Sequence, residues 1–161
     1  MLRVILISIC FCVFTLGCST VVDESVQSDI SKRAKQTAFN LLVNINQTFA
    51  DIGKGRPPYV REGNPNAYVY IYDLDLNVVA HPDRSIVGTS HANRVDDRHD
   101  AYPKEILERA LGRKRGIEGW IEYTEQGLMR LAFYELAQGR DGLYYIIVST
   151  APVGGTLKKK S

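Results

Sequence analysis

From Asp23 to Ile52 the apolar and small positions fall at Val26, Ile30, Ala34, Ala38, Leu41, Leu42, Ile45, Phe49 and Ile52. Most steps are three or four residues, so these side chains share a stripe, and the spacing predicts one long amphipathic helix. Asp23, Ser25 and Ser28 each suit its N-cap, where a short polar side chain accepts a first-turn N–H. Gly53 and Gly55 end the run, and Pro57-Pro58 keep it from resuming. After Pro65 the period changes to two. Ala67 to Asp73 reads as a strand with Tyr68, Tyr70 and Tyr72 on one face and Val69 and Ile71 on the other. Asp73 to Asn77 supplies a turn, and Val78 to His81 returns as a second strand stopped by Pro82. Residues 83–100 are irregular and polar, with Gly88 as a hinge point. Pro103 to Leu111 predicts a short helix, with proline in its first turn and Gly112 past its end. Three strands follow, Gly119 to Thr124, Leu128 to Leu136 and Leu143 to Thr150, joined by turns at Gln126-Gly127 and Gly139 to Gly142. Hairpins dominate this order. The expected class is α+β, a long N-terminal helix packed on a five-stranded antiparallel sheet.

The first eighteen residues follow a different logic. Met1-Leu2-Arg3 is a short basic start, Val4 to Phe14 is almost wholly apolar, and Thr15-Leu16-Gly17-Cys18 follows. That order describes a secretory signal peptide, and the apolar run is shorter than the roughly 20 residues a spanning helix needs. The end of the segment resembles a bacterial lipobox, in which the cysteine is acylated and becomes the new N-terminus. The resemblance implies cleavage before Cys18 and a lipid on it. Ser19, rather than aspartate, follows Cys18, which resembles an outer-membrane address. The expected organisation is a signal peptide over residues 1–17, a tether over 18–22, one domain over 23–152 and a disordered basic tail over 153–161. If Asp23 caps the helix, the domain sits close against the membrane.

Composition narrows the chemistry. The 161 residues carry 20 lysines and arginines against 18 aspartates and glutamates. Arg3 and the terminal Lys158, Lys159 and Lys160 supply the excess, so the body is slightly acidic and lacks the concentrated basic face of a nucleic-acid binder. The lysine tail reads as a solvated end, with contact to anionic lipid as its other reading. The three cysteines are Cys10, Cys12 and Cys18. Two leave with the signal and the third carries the lipid, so none remains for a disulfide, a thiolate nucleophile or a metal site.

Four segments carry a resemblance. They are Tyr68 to Asp73, Ala80-His81-Pro82 followed by Ile86-Val87-Gly88, Gly119-Trp120-Ile121-Glu122-Tyr123, and the closing pair of strands. Over about residues 29–149 the chain resembles the single Cache domain of bacterial extracytoplasmic sensors, in its second subtype. It departs at three places. A glycine usual in the first hairpin turn is Leu76 or Asn77, an Asp-x-x-Gly element ends in Asp100, and Arg130 and Phe133 stand where lysine and tyrosine are usual. The resemblance implies a PAS-like sheet that binds a small organic anion. Such domains usually sit between transmembrane helices and drive a module inside the cell. A lipid anchor replaces that connection here, so a signal would pass through a membrane partner or through a homodimer formed along the long helix.

A carboxylate leaving water needs paired charge and full hydrogen bonding. The expected ligand-binding residues are Tyr70, Tyr72, His81, Trp120, Tyr123 and Arg130. Arg130 is the first choice for the anion anchor, provided that it faces inward rather than solvent. Trp120 and Tyr123 have opposite parity, so one pocket takes both only across a bulge, and core packing is the other reading of Trp120. His81, His91 and His99 with Asp96 and Asp97 match no compact metal motif, and no haem-attachment or Gly-x-Ser-x-Gly sequence occurs. The expectation is a lipid-anchored, non-enzymatic periplasmic sensor for a short carboxylate, without cofactor. The alternative is a structural or interaction lipoprotein with a degenerate Cache fold and no ligand. A cavity lined by Tyr70, His81 and Arg130 favours the first, and close-packed apolar side chains in that volume favour the second.

Overall fold

A computed structural model describes residues 23–112 and 117–156. The signal segment, Cys18 and the lysine tail lie outside these residues. Helix α1 spans Glu24–Val43, and Asp23 caps it by accepting the Ser25 N–H at 2.9 Å. Helix α2 spans Ile45–Ile52. The single helix expected over Asp23 to Ile52 is therefore divided at Asn44, whose backbone is extended at φ −156°. The cause lies far along the chain. Arg140 donates its N–H to the Leu41 carbonyl and its Nη1 to the Val43 carbonyl, and those acceptors are withdrawn from the helical ladder. Asn44 then caps α2 by accepting from Gln47 N–H at 3.1 Å. No helix among the described residues is long and apolar enough to cross a membrane.

The strands are β1 (Val60–Arg61), β2 (Asn64–Tyr72), β3 (Val78–Ala80), β4 (Glu118–Glu125), β5 (Leu128–Gln138) and β6 (Tyr144–Thr156), with α3 (Tyr102–Ala110) between β3 and β4. They form one antiparallel sheet in the order β1-β2-β6-β5-β4, with β3 on the outside of β2. The sheet exceeds expectation: β1 is new, β2 begins earlier at Asn64, β5 ends later at Gln138, and β6 runs past Thr150 to Thr156, so the disordered tail expected from residue 153 is strand up to that point. At the β2–β3 turn, Leu76 takes a left-handed backbone at φ 61°. Asp73 holds that turn by accepting from the Asp75 and Asn77 N–H groups at 2.9 and 2.8 Å, and the Leu76 side chain is buried.

Alternation along the strands gives the sheet two unlike faces. One face presents Val69, Ile71, Leu131, Phe133 and Ile147 to α1, which buries Ile30, Ala34, Ala38 and Leu41 against them. The other presents Tyr70, Tyr72, Tyr123, Tyr134 and Val148 and is covered by α3 through Tyr102 and Ile106. The candidate site opens on this second face.

Candidate functional site

Strand β2 places Tyr68, Tyr70 and Tyr72 at every second position of the tyrosine face, and β4 and β5 place Tyr123 opposite Arg130. Tyr102, at the start of α3, stacks on Tyr123 with ring centroids 4.2 Å apart. His81 follows β3 and packs its ring against Tyr68 and Tyr70 at 5.1 and 5.8 Å. Together they enclose a cavity of about 260 Å³. Five of the six expected residues, Tyr70, Tyr72, His81, Tyr123 and Arg130, line it. Trp120 does not. It packs edge-on against Phe133 at 5.0 Å on the helix side, because its parity on β4 is opposite to that of Tyr123.

Arg130 faces inward and is 4% exposed. Its Nη2 donates to the Asn66 carbonyl at 2.7 Å, its Nε to Thr150 Oγ1 at 3.3 Å, and its guanidinium lies 4.8 Å over the Tyr68 ring. A second arginine enters from the loop after β3. Arg94 Nη1 donates to His91 Nε2 at 3.0 Å and Nη2 to Glu125 Oε1 at 2.6 Å. Glu125 also lies 3.7 Å from Arg130. Two guanidiniums thus share the Glu125 carboxylate inside the cavity, and the exposed Asp83 is the second acidic residue of its lining.

The proton positions follow from these contacts. An arginine only donates, so His91 Nε2 accepts, and a neutral His91 carries its hydrogen on Nδ1. That hydrogen points to Tyr72 Oη, 2.9 Å away, and leaves the Tyr72 hydroxyl hydrogen for the cavity. His81 Nδ1 accepts the Asp83 N–H at 2.8 Å, so its Nε2 is the donor. Burial holds both rings neutral by lowering each pKa to about 4; Arg94 adds to this at both, while Asp83 opposes it at His81. Burial also pushes the Tyr68, Tyr70, Tyr72 and Tyr102 hydroxyls well above their ordinary value, so they remain donors. The Tyr70 hydroxyl is buried and completes no hydrogen bond of good geometry; the hydroxyls of Tyr72 and Tyr123 are near enough to interact with it only in poor alignment. A buried hydroxyl without a partner is costly, and a ligand acceptor would satisfy it.

The sequence did not single out His91, Arg94, Tyr102 and Glu125 as cavity residues. Tyr68 carried a signal, since it shares the stripe of Tyr70 and Tyr72. The loop residues carried none, because tertiary contacts place them. Asp96 is the pin. Its carboxylate accepts from Thr124 N, Thr124 Oγ1, Arg98 N and Asp100 N at 2.8–3.0 Å. Burial alone would raise its pKa, but these hydrogen bonds together outweigh burial and bring it to about 2. Among the described residues, no three His, Cys, Asp or Glu side chains group as metal ligands.

No protein-family model matches the chain, and no curated protein sequence matches it. Its architecture is similar to two solved structures. One is the periplasmic sensor domain of a chemotaxis protein, 16% identical, with a TM-score of 0.53 over 81% of this chain and 90% of that one. The other is a Cache chemosensory domain described for carboxylic acid recognition, 16% identical, with a TM-score of 0.54 over 81% of this chain and 88% of that one. Likeness at this identity establishes the fold: a long N-terminal helix on an antiparallel, PAS-like Cache sheet.

Proposed function

We propose that this Cache-fold chain is an extracytoplasmic, non-enzymatic sensor module that binds a short monocarboxylate and acts through a partner protein. The carrying observation is the convergence of donors on one small cavity. Arg94, Arg130, neutral His81 and the tyrosine hydroxyls face one small volume, where the two guanidiniums share the single inner carboxylate of Glu125 and Asp83 stands exposed at the rim. A carboxylate pairs with the guanidiniums that share Glu125 and accepts the Tyr70 hydroxyl hydrogen, with tyrosine rings beside its aliphatic part. About 260 Å³ falls below the roughly 300–1,000 Å³ of drug-sized sites, which favours a short acid. This cavity also favours binding over the scaffold reading, which calls for close-packed apolar side chains in the same volume.

Thermal shift against a panel of short monocarboxylates, dicarboxylates and amino acids tests the reading. A fitting monocarboxylate at about 100 times its Kd adds about 2.7 kcal/mol, which raises Tm by several degrees in a chain of this size. Arg94→Gln removes that rise while leaving the unliganded Tm nearly unchanged. A panel that moves no melting temperature, in wild type or variant, overturns the carboxylate reading.

The lipid anchor rests on the segment ending at Cys18 and on the short spacing to the Asp23 cap. We place the mature chain on the periplasmic face of the outer membrane, with α1 rising from the anchor and a membrane signalling protein or a second copy of the chain receiving the bound state. Metabolic labelling with palmitate should mark wild type and not Cys18→Ser. Fractionation into the inner membrane would refute the outer-membrane assignment.

A further inference from the structure

The helix face carries one buried charge that the ligand cavity does not use. Arg33 lies on α1 among Ile30, Ala34 and Thr37, and its side chain is 5% exposed. Its Nη1 donates to Asp29 Oδ2 at 2.7 Å, and its Nε approaches Ser149 Oγ at 3.4 Å. Its Nη2 is buried and hydrogen-bonds to nothing among the described residues. A guanidinium left with an unsatisfied N–H inside a helix–sheet interface costs stability, and an apolar side chain there would cost less.

The surroundings supply a reason for its presence. Between α1 and the segment from Pro57 to Glu62 runs a groove of about 540 Å³, with Arg33 in its wall. Arg61 reaches over the same Asp29 carboxylate, at 3.7 Å, beyond hydrogen-bonding distance. Two guanidiniums therefore compete for one carboxylate, just as Arg94 and Arg130 do in the cavity. Burial lowers the pKa of Arg33, Asp29 opposes this and the like charge of Arg61 adds to it. Counting Lys32 and Glu62 at the rim, three bases face two acids, so one positive charge is left over. Arg61 and Asp29 are 47% and 37% exposed, so both can turn toward an incoming group, while Pro57 and Pro58 offer an apolar ledge beside it.

We infer that this groove is a second binding site, built on Arg33 and Arg61, for a singly charged oxyanion of the phosphodiester type. A planar fork suits phosphate oxygens, since two parallel N–H donors meet two acceptors. The single residual charge selects a monoanion. The same chemistry is offered by a free diester and by a phospholipid headgroup, and two probes separate them.

The test is calorimetric titration of the full chain with dimethyl phosphate, a permanent monoanion, and with glycerophosphoglycerol, the headgroup diester of phosphatidylglycerol without its acyl chains. Wild type binds at least one of them. Comparable affinity assigns a generic diester site, and glycerophosphoglycerol binding about tenfold tighter assigns a headgroup site. Arg61→Gln, an exposed substitution that leaves Tm unchanged, weakens binding about tenfold, the loss of one charge-assisted contact. Arg33→Lys keeps the charge and removes the fork, and weakens binding further. Arg94→Gln in the carboxylate cavity changes nothing, so failure of that reading and failure of this one are separate. No binding of either diester to wild type, or undiminished binding to Arg61→Gln, overturns the site.

Discussion

The two faces of the sheet treat a buried arginine differently, and the contrast is sharpest at one dipeptide. Ser149 and Thr150 are consecutive on β6, so their side chains point to opposite faces. Thr150 meets Arg130 on the tyrosine face, and Ser149 meets Arg33 on the helix face. On the tyrosine face the guanidinium is one of many polar groups around a cavity. On the helix face it stands in an interface otherwise closed by Ile30, Ala34, Ile71, Phe133 and Ile147. The helix face is built for burial, which is non-directional and rewards volume. The tyrosine face instead gathers arginines, histidines and tyrosine hydroxyls around a cavity, with the Tyr70 hydroxyl buried and lacking a hydrogen bond of good geometry.

The largest expected effect breaks the helix face. Ile71 is fully buried between the sheet and α1. Ile71→Ala should cost about 2–5 kcal/mol in urea unfolding, the range for a large aliphatic side chain removed from a core. The Tm gain from bound carboxylate should survive, since Ile71 points away from the cavity. If Ile71→Ala costs less than Tyr72→Phe, the division of labour between the faces is wrong.

Next comes the pin of the loop. Asp96→Ala leaves the Thr124, Arg98 and Asp100 N–H groups without their acceptor. The expected cost is about 1.5–3 kcal/mol, the worth of hydrogen bonds to a buried charge. Unlike Ile71→Ala, this change should also weaken carboxylate binding, because the same loop carries His91 and Arg94.

Acid gives a smaller and graded effect, confined to the tyrosine face. His81 and His91 titrate near 4 in the folded chain, below their ordinary value of 6.5. Between those values the unfolded chain binds more protons, so stability rises with pH. The contribution is complete above about pH 6.5 and is lost as pH falls toward 4, on the order of 1 kcal/mol per ring after solvent screening. Carboxylate affinity is a property of the folded chain, so it should hold through most of that window and fall only as pH drops through about 4, where His91 protonates and can no longer accept from Arg94. Asp96, at about 2 against an ordinary 3.8, adds a separate loss as pH falls below 4. Thermal unfolding from pH 7 to 3 should show both windows in wild type and only the upper one in Asp96→Ala.

How far the sequence foretold these faces depends on the range of the contacts involved. Strand β2 was legible because its alternation is local: three tyrosines to one side and Val69 and Ile71 to the other. The inward turn of Arg130 was legible in principle, since it shares parity with Ala132 and Tyr134. The exclusion of Trp120 followed from the parity already visible against Tyr123. The break at Asn44 was hidden, because it depends on Arg140 reaching the Val43 carbonyl 97 residues away in sequence. Arg94 and His91 were hidden for the same reason. Their loop has no periodicity and is placed by Asp96 on Thr124, 28 residues on. Leu76 takes a positive φ that glycine adopts more readily, and its buried side chain and the Asp73 bonds hold the strained turn.

The smallest expected change in stability discriminates the faces best. Tyr70 lies beside Ile71 on β2, and its hydroxyl is the buried polar group of the tyrosine face that lacks a hydrogen bond of good geometry among the described residues. Removing only that oxygen, in Tyr70→Phe, keeps the ring contacts with Tyr68, Tyr72 and His81. An unsatisfied buried hydroxyl destabilises the unliganded fold, so its removal should be neutral or should raise the unfolding free energy by up to about 1 kcal/mol. Carboxylate binding should move the other way and weaken about tenfold, because the ligand loses a donor that nothing else in the cavity replaces. Opposite signs in the two measurements mark a group held in place for a ligand rather than for packing. A Tyr70→Phe chain that loses stability without losing affinity would return Tyr70 to the core and reduce the tyrosine face to packing like that of the helix face.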